Sequence, residues 1–156
     1  MEYLWKCCLM IPNLFSKRPL PDSLPEGMLE LIEGLKQCKG KEDCLKYAYG
    51  ILTGKYRGYK LRVYFRFWEL FRCDPFYWWP RSGFMNCTNL NYMLRTLLVK
   101  SGRFSESGIV PKLTVLYISP HQYFKVRVSK DRWVDVDCWA KAYGIGFGDY
   151  ARGFNC

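Results

Sequence analysis

The sequence predicts an α+β domain: helices in the N-terminal half, then a Cys-bearing helix packed on a small antiparallel β-sheet. Three observations lead there. Apolar residues recur at helical spacing over residues 23–52 and again over 86–102. They switch to alternation over 112–119 and 123–137. Within the last stretch, Phe124, Val126 and Val128 alternate with Tyr123, Lys125 and Arg127. A polar link over 129–132, with Asp131 as a turn residue, leads to a second alternating run from Trp133 to Asp137. Two such runs with a short link read as a β-hairpin.

Taken in order, residues 1–22 are apolar and then rich in proline (Pro12, Pro19, Pro21), an extended arm ahead of a single domain over 23–156. Ser23 and Glu26 have capping-box spacing, with Pro25 in the first turn. Met28, Leu31, Ile32 and Leu35 then form a helical stripe that Gly40 ends. A second helix is expected over about 42–52, with Cys44, Leu45, Ala48, Ile51 and Leu52 on one face and Gly54 closing it. Residues 56–71 suit a strand or a helix; their length and the run W-E-L-F favour helix. Residues 73–83 hold two prolines and four aromatics and predict an irregular loop. Asn86 is a favoured N-cap, which makes Cys87 the first residue of a helix carrying Leu90, Leu94, Leu97 and Leu98 and stopping at Gly102. Residues 101–108 are a linker, and 112–119 a strand leading into the hairpin. The tail after Asp137 mixes glycines with aromatics and reads as turns threading rings into the core. Its G-I-G-F-G at 144–148 lacks the strand, helix and lysine of a phosphate loop.

Composition bounds the function. The chain has 156 residues, 49% hydrophobic and 18% aromatic, enough for one packed domain. No apolar run approaches the roughly 18 residues of a membrane span. The N-terminus carries Glu2 and no small-residue cleavage site, so the expectation is a cytoplasmic protein without a membrane partner. Most of the eight cysteines are expected to stay thiols in a reducing compartment, which disfavours the Cys38–Cys44 bridge that their spacing allows. No C-x-x-C occurs and there is one histidine, which argues against a zinc site. The net charge of +10 admits nucleic acid as a partner, but the basic residues are dispersed, as on an ordinary solvated surface. The R-G-F at Arg152 is too short to signal RNA binding.

The chemistry-bearing residues are Cys87, His121 and two aspartates. A thiol at a helix N-terminus meets unpaired N–H groups and the positive end of the helix dipole, both of which favour thiolate. His121 opens the first hairpin strand, and Asp135 and Asp137 close the second, so a carboxylate reaches the imidazole across the ladder. Nucleophile, base and orienting acid together make a nucleophilic constellation.

Residues 87–137 resemble the transglutaminase-like superfamily of cysteine enzymes, which share a papain-like core. The resemblance rests on a Cys-initiated helix from Cys87 to Gly102, on H-Q-Y-F-K-V from His121, and on W-V-D-V-D from Trp133. It implies a Cys-His-Asp triad of Cys87, His121 and Asp137, selecting Asp137 over Asp135. It also implies a thiolate acyl-enzyme mechanism on amide bonds in a protein or peptide substrate. Water as acceptor makes a peptidase or amidase; an amine makes an acyltransferase. The Cys87 N–H is one expected oxyanion donor, and the second comes from Asn86, Trp78 or Trp79. The chain departs from the family in having Gly83 four residues before the Cys, Thr88 after it and Gln122 after the His. The mechanism needs no cofactor, and no acidic loop for calcium is apparent. The alternative is a catalytically silent domain of this type whose aromatic, basic segment 56–79 binds protein or nucleic acid.

Overall fold

The computed structural model describes residues 17–155; residues 1–16, most of the predicted arm and with them Cys7 and Cys8, lie outside the described residues, as does Cys156. The fold is α+β. Helices α1 (Glu26–Lys36) and α2 (Lys41–Lys55) precede a two-residue strand β1 (Tyr56–Arg57). Two single-turn helices, α3 (Arg62–Phe65) and α4 (Pro75–Trp78), flank a 3-10 turn at Phe67–Phe71. Strand β2 (Gly83–Phe84) pairs in parallel with β1 and delivers the chain to α5 (Cys87–Lys100). Strands β3 (Ile109–Leu116), β4 (Ser119–Arg127) and β5 (Trp133–Val136) form an antiparallel meander in that order.

Helix α5 is the centre of the molecule. Its predicted stripe, Leu90, Leu94, Leu97 and Leu98, is buried, and so are Thr88, Asn89, Asn91, Tyr92, Met93, Arg95 and Thr96. A helix covered all round belongs inside its domain. Helices α1 and α2 pack on it, and the even-numbered side chains of the sheet, Phe124, Val126, Val134 and Val136, join the same core. Asn91 ties α5 to β4 by donating to the Gln122 carbonyl at 2.9 Å and to its side-chain oxygen at 3.2 Å. Each fully buried leucine contributes about 1.5–3 kcal/mol relative to exposure. The described end of the arm crosses α5, where Tyr92 donates to the Pro19 carbonyl at 3.2 Å.

Four local expectations are corrected. Ser23 does not cap α1: the N-cap is Pro25, at ψ 149° and without a side-chain cap bond. A residue preceding proline is pushed out of the helical region, so Leu24 cannot open the helix and Glu26 becomes its first residue. Helix α2 runs through Gly54 to Lys55; Tyr49 takes the buried position and Ile51 is exposed, because the buried face is turned toward α5 and the chain's tail. Residues 56–71 form neither one strand nor one helix. Arg66, at φ −130° and ψ 37°, interrupts the path, and no residue of α3 is buried. Strand β3 begins at Ile109 and ends at Leu116, where Tyr117 turns the chain at φ 55°. That turn is held by Tyr117 N–H donating to the Gly153 carbonyl at 2.9 Å and Gly153 N–H to Val115 at 2.8 Å.

Among the described residues, no helix is long and apolar enough to cross a membrane, no cluster of His, Cys, Asp and Glu could hold a metal ion, and Cys38, Cys44, Cys73, Cys87 and Cys138 are free thiols.

Candidate active site

The first turn of α5 is fixed by its cap. Asn86 is extended (φ −73°, ψ 161°), and its Oδ1 accepts from the Asn89 N–H at 3.0 Å and the Thr88 hydroxyl at 2.8 Å. Both bonds fall on the oxygen, which determines where the amide nitrogen goes. Asn86 Nδ2 is buried and has no hydrogen-bond partner. Asn86 and Cys87 line a cleft of about 530 Å³ together with His121 and Trp139. Cys87, the first helical residue, is half-buried there.

His121 lies on β4 opposite Thr114 of β3 and is 3% exposed. Its Nε2 is 2.6 Å from Asp137 Oδ2, which leaves Nδ1 for the sulfur of Cys87. The sheet register explains which aspartate it meets. Phe124 pairs with Val136 and Lys125 with Asp135. Continuing the ladder places Asp137 beside Tyr123, on the same face as His121 and one diagonal step from it, a distance that side chains bridge. Asp135 faces Lys125, with its carboxylate 3.8 Å from the ammonium. His121 is four residues further along β4, roughly 13 Å at ~3.3 Å per residue.

Three donors converge on Asp137. Besides His121, Ala140 N–H donates to Oδ1 at 3.1 Å and Ala151 N–H to Oδ2 at 3.0 Å. The carboxylate is 1% exposed, so it accepts from protein alone. Burial opposes charge on His121, but the hydrogen bonds to Asp137 and Cys87 and the negative charge at both positions outweigh it, and the imidazole is raised to about 10. The ring therefore holds a proton at neutral pH.

The glycine-aromatic tail roofs this face of the sheet. The Trp139 ring sits 5.0 Å from that of His121, and Tyr150 stacks on Tyr123 at 4.0 Å, nearly parallel. Gly58 lets the chain pass the other side of Trp139: a Cβ there would lie 2.3–2.6 Å from three indole atoms. Gly58→Ala is expected to cost about 1–3 kcal/mol through overpacking and to displace the indole from His121. A chemical-denaturation midpoint and the tryptophan emission maximum measure both effects.

The structure brings Cys87, His121, Asp137 and Asn86 to one place, and it leaves Trp78 and Trp79 elsewhere. The Trp78 indole N–H donates to the Arg72 carbonyl at 2.6 Å. Trp79 packs against Gly27, with the Lys55 ammonium 4.8 Å above its ring. Neither lines the cleft. The residues that local reading missed are Trp139 and the backbone donors of Ala140 and Ala151. A tryptophan two positions after the aspartate was the available signal for the first; nothing in the sequence marked the donors. No protein-family model, curated protein or solved structure matches the chain.

Proposed function

We propose that the chain is a cysteine enzyme with a transglutaminase-like, papain-like core, acting on amide bonds through an acyl-enzyme. The observation that carries this is the chain of contacts from a half-buried Cys87 through a buried His121 to a buried Asp137, opening on a cleft. Cys87 and His121 rest as a thiolate beside an imidazolium, the proton on Nδ1 shared toward sulfur, and the sulfur attacks the amide carbonyl carbon. The oxyanion that forms receives hydrogen bonds from the Cys87 N–H and from Asn86 Nδ2, whose lack of any other partner supports the assignment. The imidazolium then gives its proton to the departing amine as the C–N bond breaks. Water attacks the thioester, returning a proton through His121, and the products are an acid, an amine and free Cys87; an amine acceptor in place of water gives transamidation. Asp137 keeps the ring oriented and stabilises its charge. A cytoplasmic location suits the free thiols.

Iodoacetamide tests this reading. Cys87 is expected to alkylate faster than the other cysteines, as resolved by mass-spectrometric mapping, and His121→Ala to slow it at least about tenfold. Equal labelling of several cysteines, indifferent to His121→Ala, would count against catalysis.

One observation favours the binding-module alternative. Phe65, Phe67 and Trp68 are more than half exposed beside Arg62 and Arg66, an arrangement suited to stacking on a protein or nucleic acid. Salt-sensitive retention on heparin, with an unreactive Cys87, is its signature.

A further inference from the structure

The cleft at Cys87 has two lips. One is the segment from Lys60 to Tyr64; the other is the β3–β4 turn with its flanking residues, 116–120. They are fastened to each other. Lys60 Nζ donates to the Tyr117 hydroxyl at 2.6 Å, and the Tyr64 hydroxyl hydrogen-bonds the Ser119 hydroxyl. The width between the lips is therefore preset, which spares substrate the cost of organising the site.

Both lips contribute apolar side chains to the lining: Leu61, Val63 and the Tyr64 ring from one, Leu116 and Ile118 from the other, together with Trp139. Leu61 is 70% and Ile118 91% exposed. Of the polar groups lining the cleft, Asn86, Cys87 and His121 are those the chemistry uses, and Tyr64 and Ser119 are engaged with each other. The remaining cation, Lys60, is engaged by the Tyr117 hydroxyl and lies 4.6 Å from the Tyr117 and Tyr143 ring centres. A glutamine side chain reaching Cys87 by its terminal amide presents only two methylenes of its own to these apolar walls. A main-chain amide flanked by a bulky apolar side chain removes those walls from water at the moment the carbonyl reaches the sulfur.

We infer, resting on the acyl-enzyme reading above, that the substrate is a peptide cleaved after a bulky apolar residue such as phenylalanine or leucine, and that Leu61 and Ile118 determine this specificity. The enzyme hydrolyses the main-chain amide; it does not act on glutamine side chains.

The probes are acylated peptidyl-coumarin amides differing only in the residue before the coumarin: Phe, Leu, Gln, Glu or Gly. For the wild-type protein, kcat/KM for Phe and Leu is expected to exceed that for the other three at least about tenfold. Leu61→Asn and Ile118→Asn replace exposed side chains, so the fold is retained, and each is expected to narrow the ratio to about threefold or less. A flat series, a preference for Gln or Glu, or amine incorporation into a glutamine donor faster than hydrolysis overturns the inference. So does failure to cleave any apolar probe when Cys87 still alkylates in a His121-dependent way. Alkylation that ignores His121 instead overturns the catalytic reading itself, which separates the two failures.

Discussion

Asp137→Asn is expected to reduce hydrolysis of an apolar peptidyl amide about 10²–10⁴-fold, in line with the loss of an orienting aspartate from a nucleophilic triad. The loss has two causes. The imidazolium would face a neutral amide in place of a carboxylate, at a position 1% exposed where water cannot compensate. Geometry suffers as well. Asp137 accepts from His121, Ala140 and Ala151 with its two oxygens, whereas asparagine has one acceptor oxygen and a donor NH₂. At least one of the three donors then confronts another donor, so the ring loses its fixed orientation. Breaking a buried ion pair from one side typically costs about 3–5 kcal/mol, and a comparable loss is expected in denaturant unfolding. Wild-type turnover in a folded Asp137→Asn protein would remove Asp137 from the mechanism.

The second large effect is on pH. His121 is the chain's one histidine, so its ring gives an uncrowded ¹⁵N signal that reports its protonation directly. The expected titration midpoint is about 10, against ~6.5 for an unperturbed imidazole. Cys87→Ala removes one hydrogen bond and one charge that raise it and is expected to lower the midpoint. The folded-state value lies above the unfolded one, so the folded protein binds the extra proton between them. The stabilisation is fully present below about pH 6.5 and is lost as pH rises through about 10. Catalysis needs the same proton for the departing amine, and hydrolysis should fall over the same upper limb. An imidazole titrating near its ordinary value would mean that the Asp137 and Cys87 contacts do not outweigh burial in solution.

These two expectations rest on features of different origin. Asn86 before Cys87 is a local matter: a cap residue and a helical stripe within a dozen positions specify where α5 starts, and so that a thiol stands at its first turn. The alternation on either side of residues 129–132 specifies a hairpin, which brings the start of β4 toward the end of β5. Both were legible because they depend on backbone propensity and side-chain period. The same kind of reasoning failed at Ser23, where Pro25 overrode a cap spacing, and over residues 56–71, where apolar residues on every side gave no single face to bury.

By itself, then, the sequence determined an α+β chain with a Cys-initiated helix and a His-to-Asp hairpin, because caps and periodicities act between neighbours along the chain. Only the tertiary structure decided the rest. It brought the sulfur to the ring and gave Asp137 two backbone donors from the tail. It spent the Trp78 indole on Arg72 and left Asn86 Nδ2 buried without a partner beside the cleft. Those outcomes turn on which segments meet across the core, and burial, which sets the strength of every polar contact at the site, exists only once they have met.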